Sequence, residues 1–89
     1  MLMLPAELTH AQAPACERML RQAMRASAGG VIVDASALQV FDSSALAVLL
    51  ACRREALADE RGFAVLGLPE RLRGLARVYG IDTLLPEPV

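Results

Sequence analysis

The densest group of potentially reactive side chains is Asp42-Ser43-Ser44, which stands directly before the apolar run Ala45, Leu46, Val48, Leu49 and Leu50. Asp and Ser are the residue types that cap helix N-termini. A helix start also offers free amide N–H groups and a positive dipole end. Two kinds of chemistry fit such a place. A hydroxyl can cap the helix, or it can carry a phosphoryl group whose charge the helix start tolerates. Ser43 and Ser44 are therefore candidates both for capping and for phosphorylation. Val40 and Phe41 stand just before them, and two bulky apolar residues in a loop serve either as a plug into the core or as a docking patch.

The rest of the inventory argues against catalysis. His10 is the only histidine, so it can join neither a second histidine around a metal nor a Ser or Cys nucleophile within a recognisable motif. Cys16 and Cys52 form no CxxC pair and fall inside expected helices, where they read as small buried hydrophobes in a reducing compartment. Asp34 and Asp42 bracket one loop and could form a carboxylate pair, but a strand-end Asp and a capping Asp account for them more simply. Gly29-Gly30 lacks the spacing of a phosphate-binding loop. No catalytic residue, metal or cofactor is expected, and the chain is read as a non-enzyme.

With 89 residues the chain is expected to form one domain over 1–89. Hydrophobic residues make up 55% and aromatics only 3%, so the core must be built from Leu, Val, Ile, Ala and Met. The net charge of −1 gives no general electrostatic case for nucleic acid or an anionic membrane surface. Arg18, Arg21 and Arg25 are spaced like the wet face of a helix. The longest apolar run, residues 45–52, is far short of the roughly 20 residues a spanning helix needs. The first residues lack the basic start and long apolar stretch of a signal peptide, and a cytoplasmic location is expected.

The elements that must position these groups follow from periodicity. Residues 1–4 read as a short strand and Pro5 as a turn. Thr9 or His10 opens a helix with Pro14 in its first turn, and Cys16, Met19, Leu20, Ala23 and Met24 recur at helical spacing until Gly29-Gly30. Val31-Ile-Val is an unalternating β-branched run ending at Asp34, which predicts a strand covered on both faces. Residues 35–41 form a loop. The second helix starts apolar at Ala45, becomes charged at Arg53, Arg54, Glu55, Asp59 and Glu60, and stops at Gly62. Residues 63–68 predict a third strand. Pro69 opens a third helix with Leu72, Leu75, Ala76 and Tyr79 inward, and Gly80 caps it. Residues 81–85 predict a last short strand, and 86–89 a tail. This alternation predicts an α/β domain, a four-stranded mostly parallel sheet with three helices. The carboxyl edge of such a sheet is where ligands and partners bind. It would gather Thr9, His10, Val40, Phe41, Asp42, Ser43, Ser44 and Ala45 as a partner-binding surface.

The stretch from Val31-Ile-Val-Asp through Phe41-Asp-Ser-Ser-Ala-Leu-Ala resembles the signature of STAS domains. Their usual form is a strand ending in Asp, a short loop, and Asp-Ser-Ser-Gly-Leu leading into a helix. The segment Ala6-Glu-Leu-Thr-His resembles the family's Gly-Glu-Leu-Asp segment. Two positions depart from the pattern of the kinase-regulated members: Thr9 stands for Asp, and Ala45 for Gly. Within the family the chain is most similar to the small STAS subunits of inner-membrane phospholipid-transport ABC complexes. That similarity implies a cytoplasmic subunit, peripheral to the inner membrane, that binds the ABC-transporter ATPase subunit and supports outer-membrane lipid asymmetry. The alternative implied by the family is an anti-sigma-factor antagonist switched by serine phosphorylation, and Thr9 favours the first. The resemblance also implies a further strand ahead of the segment matching residues 1–8, pairing with Val31–Asp34. This chain starts too late to hold it, so Val31–Asp34 is expected to be an exposed apolar edge open to self-association.

Overall fold

In the computed structural model, which describes residues 1–88, the β-branched run becomes the centre of the sheet. Strands β1 (Leu2–Met3), β3 (Val31–Asp34) and β5 (Phe63–Leu66) lie in the order β1-β3-β5, and both pairings are parallel. Leu2 pairs with Val33 and Val33 with Val65. The Leu4 N–H donates to the Asp34 carbonyl at 2.9 Å, carrying the pairing one residue further. Val31–Asp34 is thus no edge: β1 lies on one side and β5 on the other. The expectation of an exposed edge there is overturned, because residues 1–4 themselves occupy that side. The outer edge of the sheet belongs to β1.

A second, two-stranded parallel sheet joins β2 (Glu7–Leu8) to β4 (Val40–Phe41). Pro5 bends the first chain segment and residues 35–39 bend the second, so this pair continues beyond the carboxyl end of β1 and β3. The Ala6 carbonyl accepts from both Gln39 N–H and Val40 N–H, at 2.8 and 3.0 Å. Five strands in two sheets therefore replace the expected four-stranded sheet, while the three helices and the parallel pairing stand. The expected last strand is instead a 3₁₀ turn, Asp82–Leu84. Gly80, at φ +72, turns the chain. Arg73 Nη1 then donates to the carbonyls of Asp82 and Leu85, which a strand would have used for its ladder. One sheet-like bond remains, from Val65 N–H to the Pro86 carbonyl. Of the expected tail, Val89 lies outside the described residues.

The strand faces are unequal. Val31 and Val33 are buried, whereas Ile32 and Asp34 are half-buried. Met3 and Leu66, in register with Asp34, are 57% and 40% exposed. The central strand is covered on one face and not on both.

Helix α1 (Ala13–Arg25) has Pro14 in its first turn and buries Cys16, Leu20 and Met24, a stripe of period four, while Met19 stays exposed. Helix α2 (Ser44–Ala58) begins apolar because Ala45, Leu46, Val48, Leu49 and Cys52 all enter the core. Helix α3 (Glu70–Val78) buries Leu72 and Ala76. Tyr79 falls just past it and is 57% exposed, not inward as its spacing suggested. Arg61 fastens the lower end of the helix layer: its guanidinium donates to the carbonyls of Gly29 and Met24 and to Ser27 Oγ, at 2.6, 2.8 and 3.0 Å. Burial pushes both cysteine thiols up, Cys52 to about 11, which keeps them protonated and unreactive. No helix among the described residues is long and apolar enough to cross a membrane.

The core gives a direct test of this packing. Leu49 is completely buried and Leu57, on the same helix, is 48% exposed. Leu49→Ala is expected to lower the unfolding free energy by about 2–5 kcal/mol. Leu57→Ala should stay within about 0.5 kcal/mol of the parent in urea denaturation.

Candidate functional site

The parallel pairings put the carboxyl ends of all five strands at one end of the molecule. Three of the expected site residues, His10, Asp42 and Ser44, meet there through a single carboxylate. Asp42 Oδ1 accepts from the Ser44 N–H at 2.8 Å, and Oδ2 accepts from the His10 N–H at 3.1 Å. One side chain thus ties the start of α2 to the loop after β2. These bonds, Ser44 first and His10 second, hold the Asp42 carboxyl below its ordinary range.

Ser43 occupies the N-cap position of α2, but its side chain makes no capping bond. Its backbone is already helical, φ −61 and ψ −16, whereas a capping serine adopts an extended backbone that swings its hydroxyl over the first turn. The expected role passes one residue back, to Asp42. Ser43 is exposed and Ser44 half-buried. Ala45 is completely buried, so it supports the surface from beneath and offers a partner no contact.

Thr9 sits at the head of the loop into α1. Its N–H and its hydroxyl both donate to Gln12 Oε1, at 2.8 and 2.6 Å, and Gln12 Nε2 donates to Glu7 Oε1. Gln12 reaching back to the Thr9 N–H is one half of a capping box. The spacing Thr9-x-x-Gln12 is the sequence signal of that bond. Val40 is 53% exposed and Phe41 half-buried. The two alternatives for this pair are divided between them: Val40 points to solvent, and Phe41 packs against the core.

Asp34 and Asp42 do not form a carboxylate pair. Asp34 Oδ1 accepts from Ser36 Oγ and from the Ser36 N–H, at 2.6 and 2.9 Å, closing its own turn and lowering its pKa. That turn is held against the β5–α3 connection. Gly67 lies at φ +69, and a Cβ there would stand 2.8 Å from Ser36 Cβ. Only glycine meets both demands. Next to it, α3 brings Arg71 over the Phe41 ring, 5.0 Å from its centroid. Nothing in the one-dimensional pattern links positions 41 and 71.

A parallel α/β unit whose strand–loop–helix junction carries Asp-Ser-Ser at the head of a helix is the arrangement that the resemblance to STAS domains implies. The family model described as "Mlab, STAS domain" matches residues 1–86, and the chain belongs to that family. No curated protein matches the chain.

Two outcomes check this geometry. Ser43→Ala, which removes no capping bond, should leave urea stability within about 0.5 kcal/mol of the parent, while Asp42→Ala should destabilise clearly more. A depressed folded-state pKa contributes stability that is complete above the ordinary aspartate value and is lost as pH falls through the folded value. Asp42→Asn should therefore flatten part of the stability loss seen below about pH 4, measured as melting temperature against pH. Asp34 accounts for a further part of the same limb.

Proposed function

We propose that the chain is a non-enzymatic docking subunit that binds the ABC-type ATPase of an inner-membrane phospholipid-transport complex. In this reading it stands on the cytoplasmic side, peripheral to the membrane through its partner, and handles no lipid. Membership of a family described by the words "Mlab, STAS domain" supports the reading. The observation that carries it is the carboxyl-end rim. Exposed Val40 and Ser43 flank a carboxylate that fixes the loops bearing Thr9 and His10. A small apolar contact ringed by fixed polar groups is the usual anatomy of a protein–protein interface.

A second reading, an anti-sigma-factor antagonist switched by phosphorylation, is favoured by one observation. The Ser43 hydroxyl is exposed at a helix start and caps nothing. Against it, Thr9 stands where the switched members carry a carboxylate, and its hydroxyl is turned to Gln12. Incubation with a cognate serine kinase, followed by mass spectrometry of Ser43 and Ser44, separates the two.

Ser43→Glu should fold normally, since no capping bond is lost and the helix start accepts negative charge, yet it places bulk and charge in the rim. The circular dichroism spectrum should match the parent, and affinity for the purified ATPase subunit should fall at least about tenfold. Arg25→Glu, at the opposite end of α1, should bind as the parent does. Equal binding by Ser43→Glu and parent would move the docking site elsewhere.

A further inference from the structure

We propose that Arg71 belongs to the docking surface and receives a carboxylate of the partner protein, an inference that rests on the docking reading above. Arg71 is exposed and lies in the first turn of α3, at the carboxyl end of the sheet. Its guanidinium lies over the ring of Phe41, the residue immediately before Asp42-Ser43. The contact with the ring places the guanidinium beside the rim, and among the described residues no hydrogen bond or ion pair engages it.

The contrast with the neighbouring arginines is chemical. Arg21 spans Glu17 and Glu55, Arg73 holds two carbonyls, and Arg77 is paired with Glu70. The unpaired arginines of α1 and α2, such as Arg25 and Arg54, have no aromatic ring beneath them. Among the described residues Arg71 alone lies over an aromatic ring without a polar partner. A guanidinium already held against a ring loses less freedom when it forms a two-pronged bond to a carboxylate.

The surroundings decide which partner chemistry fits. Four carboxylates near this end, Glu7, Asp34, Asp42 and Glu70, are engaged within the chain, by Gln12, by Ser36, by His10 with Ser44, and by Arg77. None of them is paired with Arg71, which has no anionic partner among the described residues. A partner carboxylate is attracted at that point and repelled at its neighbours, so the contact fixes register as well as adding affinity.

The test uses the intact chain and the purified ATPase subunit in isothermal titration calorimetry at low and high salt, with melting curves confirming that each variant is folded. Arg71→Ala is expected to weaken binding about 30-fold, as for an interfacial arginine anchor. Arg71→Lys should recover part of the loss, Arg71→Glu should lose more, and the salt dependence of the parent should shrink in Arg71→Ala. If Arg71→Ala binds within about threefold of the parent while Ser43→Glu loses binding, this inference is wrong and the docking reading stands. If Ser43→Glu also binds like the parent, both fall together.

Discussion

The pairing of Val31–Asp34 with a parallel neighbour on each side is the constraint on which the other elements depend. β1 and β5 meet only through β3, and β1 contributes just two residues to the ladder. An isolated two-residue strand has almost no cooperative stability of its own. What holds it is the register with Val33 and Asp34, together with burial of Leu4 and Leu8 on either side of the bend at Pro5. Once β1 is fixed, the chain must leave the sheet at its carboxyl end, and the Glu7-Leu8 pair is delivered to the place where residues 40–41 arrive from β3. The second sheet is thus a consequence of the first.

The same geometry explains why one aspartate can organise the candidate site. Two loops leave the paired strands β2 and β4 side by side, one toward α1 and one into α2. A side chain at the end of β4 is short enough to stay on the surface and long enough to reach an amide in each loop. Asp42 does this with its two oxygens. Behind it, Ala45 and Leu46 anchor the helix start in the core, so the rim rests on a packed base. Exposure and order coincide here, and a docking surface needs both, because groups already held in place lose little freedom on binding.

Much of this was legible in the sequence, for definite reasons. The β-branched run at 31–33, the Pro14 and Pro69 helix starts and the apolar beginning of α2 are strong local signals, and each element appears where its signal stands. The cluster at 40–44 stood out as a candidate site because polar capping types abut an apolar helix. Three features were not legible. Strand pairs of two residues carry no periodicity, so β2 and β4 read as loop. Residues 81–85 have strand composition, but tertiary competition from Arg73 for their carbonyls converts them into a 3₁₀ turn. The contact of Arg71 with Phe41 joins positions that only the closing of α3 onto the sheet brings together.

The transfer of capping from Ser43 to Asp42 changes what the serine is for. Had the Ser43 hydroxyl capped α2, any substitution there would have mixed a loss of helix stability with a loss of recognition. With Asp42 accepting the Ser44 N–H, the Ser43 side chain is released from the fold. An exposed hydroxyl at the first turn of a helix, with no structural duty, is constrained only by what approaches it. The same separation holds across the rim: Ala45 and Phe41 belong to the core beneath, and Val40 and Ser43 face outward above it. Side chains one or two positions apart thus divide between holding the surface and being it. Of the eight residues expected to contact a partner, the outward set can change its chemistry without disturbing the inward set.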